Sequence, residues 1–322
     1  MARVLSSMNA RIVTTATLFT AFTGVLAAHA ADSQLLSYVM PDAKVVAGVN
    51  VDQAKASPFG LYVLTQMQSN NTGLQQLIAL TGFDPTRDVH ELLAATNATP
   101  GSKSPTGLVL ARGNFDATTI TALATSKGAA TEVHSGVTII EDPNKVAGIA
   151  FINPTLVMAG DLASVKAAID RPGTGMALPT AVAGLVNQWS SSEDAWVVTT
   201  VPPFSLAPAG AMSGNGATLM QQVQQAAAGV KFGNSVVGTA VIQSDNAADA
   251  TQLANTVQFL VNLAQMQSQN NPQMPNLAQA IAVSTQGATV TVTVTLPQAQ
   301  FEQLMQQQKK AAMAGPHVGV RK

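Results

Sequence analysis

The chain has 322 residues, of which only 10% are charged and none is cysteine. The absence of cysteine excludes disulfide bonds, thiolate nucleophiles and thiolate metal sites. The 16 basic residues form no stripe, and only two Trp and two Tyr are present, so we expect no nucleic-acid partner, since phosphates require clustered cations and bases require aromatic platforms.

Residues 1–30 have the layout of a bacterial signal peptide. Two arginines precede an apolar run, and no acidic residue occurs in this segment. The small residues Ala28 and Ala30 predict cleavage before Ala31. Cleavage would remove both arginines and leave 14 basic against 17 acidic residues, a net charge of −3. We therefore expect export to the periplasm or the medium. The alternative is an uncleaved segment that would hold the protein at the membrane.

The first part of the mature chain, residues 31–180, is predicted to be an α+β unit. Strand predictions rest on β-branched runs, and helix predictions rest on apolar spacing and caps. The predicted elements are strands at 44–52 and 106–115, helices at 61–69 and 116–128, strand pairs that turn at Ser135-Gly136 and Asn153-Pro154, and a helix at 162–170.

Residues 190–310 repeat the order of these elements. In the predicted helix at 246–267, the spacing of Leu253, Val257 and Leu260 indicates a buried face. The elements are strands at 195–202 and 235–245, helices at 217–228 and 246–267, a strand pair that turns at Gln286-Gly287, and a helix at 298–310.

The repeated order predicts an α+β fold of two related units, each an antiparallel sheet with helices packed on one face. The boundary is expected in the stretch 171–194, which is rich in Pro, Gly and Ser, and a flexible tail is expected at 311–322. The pattern does not decide whether the units share one sheet. The first unit has one predicted strand pair more than the second, and this additional pair turns at Asn153-Pro154.

A cluster of ionisable residues follows the first predicted helix. His90 and Glu91 begin the H-E-x-x-H zinc pattern, but the second histidine is missing. Asp88 and Glu91 have the spacing of an N-cap and its capping-box partner, which predicts an ordinary helix from Asp88. The alternative is that Asp84, Asp88, His90 and Glu91 converge on a divalent cation, although their spacing matches no calcium loop. We expect no metal and no cofactor.

Motifs for hydrolysis and phosphate binding are also missing from the sequence. The glycines around Ser235 miss the spacing of a nucleophile elbow by one residue, and no P-loop occurs. His90 and His134 are isolated in the sequence. The chemistry therefore favours a protein that is not an enzyme. The alternative is a hydrolase or metal-dependent enzyme with a dispersed site near one of these histidines.

The stretch 202–217 is more apolar than a solvated linker requires. It contains Phe204, Leu206 and Met212, which are candidates for a partner-binding loop. We therefore expect an exported, non-catalytic binding or structural protein that acts on an envelope protein or ligand. Membrane contact is expected only if the N-terminal segment stays uncleaved.

Three stretches carry a resemblance to other proteins. Residues 40–67, 81–96 and 156–171 resemble segments of uncharacterised exported proteins of soil bacteria. The resemblance covers most of the mature chain. It implies a secreted or periplasmic protein, and it supplies no catalytic residues.

Overall fold

The computed structural model describes residues 31–69, 72–97, 106–172, 177–201, 223–269, 280–297, 299–300 and 303. Within these residues, twelve strands form one antiparallel sheet that is accompanied by helices. The predicted α+β class is therefore confirmed. No helix of the described chain is both long and apolar enough to cross a membrane. The predicted signal peptide, its cleavage residues Ala28 and Ala30, the loop residues Phe204, Leu206 and Met212, and the predicted tail lie outside the described residues.

The helices and strands have the following bounds. The helices are α1 (Ser33–Ser37), α2 (Val51–Ala56), α3 (Pro58–Ser69), α4 (Thr72–Thr81), α5 (Pro85–Asp88), α6 (Ala117–Ser126), α7 (Leu162–Asp170), α8 (Thr180–Ser192) and α9 (Ala247–Gln269). The strands are β1 (Val45–Asn50), β2 (Val89–Thr96), β3 (Gly107–Gly113), β4 (Ala130–His134), β5 (Val137–Glu141), β6 (Ala147–Asn153), β7 (Leu156–Asp161), β8 (Ala195–Thr199), β9 (Val223–Lys231), β10 (Ser235–Ser244), β11 (Ile281–Gln286) and β12 (Thr289–Pro297).

The strand order is β11-β12-β10-β9-β8-β1-β2-β3-β7-β6-β5-β4. The pairing of β1 with β8, which we call the seam, joins the two predicted units through register pairs from Val45↔Thr199 to Val49↔Ala195. The two units therefore share one sheet. The predicted boundary region is not an open linker, because α8 buries Val182, Val186 and Trp189 in the main core.

The sheet has helices on both faces, whereas one covered face per unit was predicted. The packed face carries Val46, Leu93, Leu110 and Trp196, and α1, α7 and α8 contribute to the same core. The opposite, second face carries smaller clusters, one that includes α2 and one that includes α9. The physical reason is that the central strands are apolar on both sides, so the alternation that marks a half-exposed sheet is missing.

The segment from Val89 is a strand, whereas a helix was predicted to start at Asp88. The helix in this region is α5, and Asp84 caps it by accepting the N–H of Thr86 at 2.9 Å. The following residues form β2, which pairs with β1 and β3. A helix was also predicted at 217–228, but Val223–Lys231 form β9. Both strands are central, and the segments 92–95 of β2 and 226–230 of β9 are apolar on both faces. In such segments apolar spacing does not distinguish a strand from a helix.

Asp161 connects α7 to β3 through its carboxylate. The carboxylate accepts the N–H of Ser164 at 2.9 Å and the N–H of Gly107 at 2.9 Å. Burial raises the pKa of Asp161, but hydrogen bonds outweigh burial and leave the pKa below its usual value. A pKa lowered by folding contributes stability above the unfolded-state pKa of about 4, and this stability is lost as the pH falls through the folded-state pKa.

We expect Asp161→Asn to lower the free energy of unfolding at pH 7 by about 1 kcal/mol, because a charged acceptor is replaced by a neutral one. The difference from the wild type should narrow as the pH falls through the folded-state pKa of Asp161. Urea unfolding measured across this acidic range tests the prediction. A difference that stays constant with pH would contradict the assigned role of the charge.

Candidate functional site

In the part of the chain that the structure describes, the second face is open above the central strands, where it forms a cavity of about 460 Å³. We call this cavity the central groove. Val109, on its floor, is 48% exposed, and the other floor residues are half-buried. The side chains of the floor that alternate away from the packed face are Ala47, Val49, Leu92, Ala94, Val109, Ala195, Val197, Ala228 and Val230.

Strand register creates the floor of the central groove. One row of directly paired residues crosses β3, β2, β1, β8 and β9 from side to side. Three of its five members are alanines, which leave a depression between larger neighbours. The row consists of Val109, Ala94, Ala47, Val197 and Ala228.

A second row runs beside the first on the same face, two residues further along each strand. It consists of Leu92, Val49, Ala195 and Val230. No charged side chain lines the central groove among the described residues. The volume falls in the usual range of small-molecule pockets, about 300–1,000 Å³. The groove can therefore bind an apolar group, but it offers no acid, base or nucleophile.

A larger cavity of about 730 Å³ lies beside α5 and α6. Three phenylalanines line it, with ring centroids 5.6 Å apart for Phe83 and Phe115 and 6.2 Å apart for Phe115 and Phe151. Two of its charged residues are paired with each other, because Nε and Nη2 of Arg87 each lie 2.7 Å from an oxygen of Asp88, and the third, Asp116, caps α6. This pairing holds the pKa of Asp88 below its usual value. These contacts hold α5 and the residues around it in place.

The structure does not bring the four candidate metal ligands together. Asp84 donates its N–H to Asp88 Oδ2 at 2.8 Å. His90 instead contacts Asp52, with Nδ1 3.0 Å from each carboxylate oxygen. Glu91 accepts the N–H of Asp32 at 3.0 Å. Within the described residues, no group of three or more His, Asp or Glu side chains is placed to hold a metal ion.

Glu91 belongs to an ionic cluster on the packed face. Arg112 donates to Glu91 Oε2 at 3.1 Å and also contacts the carboxylate of Asp32. Burial raises the pKa of Glu91, and the hydrogen bond from Asp32 and the charge of Arg112 oppose this effect. The cluster ties the start of α1 to β2 and β3. Ala31, the first residue of the predicted mature chain, packs against the main core beside it.

His134 lies in a Ser, His and Asp constellation that lacks the connectivity of a hydrolase. Its Nε2 lies 2.7 Å from Asp170 Oδ2, and Ser135 Oγ donates to Asp170 Oδ1 at 2.6 Å. These hydrogen bonds, that of Ser135 first, lower the pKa of Asp170. In serine hydrolases the serine donates to the histidine. Here the serine donates to the carboxylate, so the contacts fasten the β4–β5 turn to the end of α7.

The central groove was not predicted from the sequence. No motif marks it, because its floor consists of alanines and valines that five different strands contribute. A signal was present in the runs Val45–Asn50 and Ala195–Thr199, where apolar residues occupy both faces of the strand. Such runs indicate a strand whose second face meets something apolar.

Comparisons with known proteins identify the fold alone. No family model matches the chain, and no curated protein matches it significantly. Three crystal structures of TP0453 are similar. Form III has a TM-score of 0.52 at 10% identity, covering 85% of this chain and 98% of that one. Form IV has a TM-score of 0.51 at 10% identity, covering 88% of this chain and 98% of that one. Form I has a TM-score of 0.50 at 12% identity, covering 85% of this chain and 97% of that one. At this identity, the chain shares a fold with TP0453.

Proposed function

We propose that this protein is an exported, non-catalytic binding protein and that its central groove holds the acyl chain of a lipid or a similar apolar chain. The observation that carries the proposal is the pair of small apolar rows on the second face. Burying an acyl chain there removes apolar surface from both partners, at about 25 cal/mol per Å². The uncharged floor imposes no desolvation cost on such a ligand.

The dimensions of the central groove also suit a chain-shaped ligand. Five adjacent strands spaced about 4.8 Å apart give a floor about 19 Å long. A lipid acyl chain occupies about half of a hydrocarbon core that is about 30 Å thick. A single chain therefore fits across the strands of the groove.

We also propose export to the periplasm or the medium. The layout of residues 1–30 supports it, as does the resemblance to exported proteins of soil bacteria. The contact of Ala31 with the main core supports a mature chain that starts there. Asp32 follows directly and caps α1 by accepting the N–H of Gln34 at 2.6 Å. N-terminal sequencing of the protein recovered from cells tests the cleavage point.

We further propose that the two halves descend from one duplicated unit. Outward from the seam, the first half has β1, β2, β3, β7 and β6, and the second has β8, β9, β10, β12 and β11. In each half a helix follows the third strand, and the strand that comes last in the chain, β7 or β12, returns to pair with the third, β3 or β10. On this alignment the additional strand pair of the first half is β4–β5, whereas the sequence pattern had indicated the pair at Asn153-Pro154.

Binding of a fluorescent fatty acid to the mature chain tests the groove. We expect Ala47→Phe to weaken binding at least tenfold, because the new ring fills the middle of the floor. Thr131→Phe is the matched control: it adds the same ring to an exposed position on the edge strand β4. Thermal unfolding of both variants verifies their folding. Equal binding by wild type and Ala47→Phe, or no binding by the wild type, would refute an acyl-chain function for this groove.

A further inference from the structure

The two edges of the sheet differ in charge. The edge strand β4 carries Glu132, which Lys166 contacts at 2.8 Å, and His134, which contacts Asp170. Charged side chains on an edge strand discourage pairing with another chain. The opposite edge strand, β11, carries none, and no Asp, Glu, Lys, Arg or His occurs anywhere in residues 250–301. Among the described strands, only β12 pairs with β11.

Helix α9 lies on the second face beside this edge and is apolar on two sides. Its buried side includes Leu253 and Val261, which are 2% and 8% exposed. Leu260, predicted to be buried, is 53% exposed, because the buried stripe continues through Val261 instead. A second, outer stripe is solvent-exposed in the described structure. It consists of Phe259, Leu260, Leu263 and Met266.

We infer that β11 and the outer stripe of α9 form the interface of a symmetric dimer with a second copy of this chain. In this dimer, β11 pairs antiparallel with the β11 of the second copy and extends the sheet. A twofold axis perpendicular to the sheet keeps both copies of α9 on the same face, where their outer stripes meet. Such a dimer does not assemble further through its sheet, because, of the strands described, only the charged β4 edges remain free at its two ends.

The absence of charge is the argument for a second copy as the occupant. A twofold interface brings the same surface of both copies together, so a surface that carries charge of one sign would repel its own copy. Residues 250–301 carry no charge to repel. Helices that bind lipid surfaces carry Lys and Arg on their polar side. The polar side of α9 carries Asn and Gln instead, and its one charged residue is Asp249.

Sedimentation of the mature chain over a range of concentrations tests the inference. We expect a reversible dimer. Ser284→Lys on β11 and Phe259→Glu on α9 should each weaken dimerisation at least tenfold, because both place charge at the twofold interface. Ser284 and Phe259 are exposed, so both variants should fold. Thr131→Lys, the same type of change on the β4 edge, is the matched control and should leave the dimer intact.

A wild type that stays monomeric at every concentration at which it is soluble would overturn the inference. If this monomer also binds neutral phosphatidylcholine vesicles and Phe259→Glu loses that binding, the occupant is lipid. The groove variant Ala47→Phe is expected to remain dimeric. Failure of the acyl-chain proposal and failure of the dimer are therefore distinguishable.

Discussion

Leu110→Ala is expected to lower the free energy of unfolding by about 2–5 kcal/mol, the usual cost of removing a large side chain from a core. Leu110 is completely buried in the middle of the packed face. Its direct cross-strand neighbours are Leu93 on β2 and Met158 on β7, which are 1% and 0% exposed. Because strands on both sides fix these neighbours, the cavity cannot collapse, and the cost should lie in the upper half of this range.

The adjacent residue of the same strand provides the control. Val109 lies on the second face and is 48% exposed. Val109→Ala should change the free energy of unfolding by about 0.5 kcal/mol or less, as exposed substitutions usually do. Urea unfolding followed by tryptophan fluorescence measures both variants. Similar losses for the two variants would contradict the assignment of the packed face.

Local signals in the sequence were sufficient for several elements. Asp116 caps α6 by accepting the N–H of Thr119 at 3.0 Å, and Gly128 ends this helix region with a φ of 92°. The turn at Ser135-Gly136 forms as predicted, with positive φ at both residues. Each of these predictions depends on interactions within a few residues of the chain, where the chemistry of caps and turns is strong.

Predictions failed where burial on two sides removed the periodicity. In β2, Leu92 belongs to the cluster on the second face and Leu93 to the core of the packed face. Two adjacent leucines suggest a helix when only one face of a strand is expected to be apolar. The second apolar stripe of α9 made the helix prediction wrong in a similar way. Leu260 and Val261 both continue the apolar spacing from Leu253, but only Val261 is buried. Neither ambiguity can be resolved without knowing what packs on each side.

The candidate site was harder to predict than the fold. The sequence drew attention to His90, Glu91 and His134, and each of these side chains is paired with a neighbouring group that organises local structure. The central groove depends on register between strands that are distant in the chain, such as Ala47↔Val197. A sequence of alanines and valines carries no information on which of them will lie side by side.

The seam between the two halves should be the other sensitive point of the fold. Gly48 lies opposite Trp196 across the seam, and a Cβ at this glycine would lie 2.5 Å from Cζ2 of the Trp196 ring. Trp196 is 7% exposed, so its ring has little room to move. Gly48→Val should therefore lower the free energy of unfolding by about 3 kcal/mol, the upper part of the usual range for overpacking.

The matched control for this substitution is Ala47→Val, which adds bulk to the next residue of β1 on the open second face. It should change the free energy of unfolding by about 0.5 kcal/mol or less. A double variant, Gly48→Val with Trp196→Leu, should recover part of the lost free energy of unfolding, because leucine leaves room for the valine where the Trp196 ring does not. Urea unfolding of the wild type, Gly48→Val, Trp196→Leu and the double variant measures this coupling. Additive losses in the double variant would show that the Trp196 ring is not what requires a glycine at position 48.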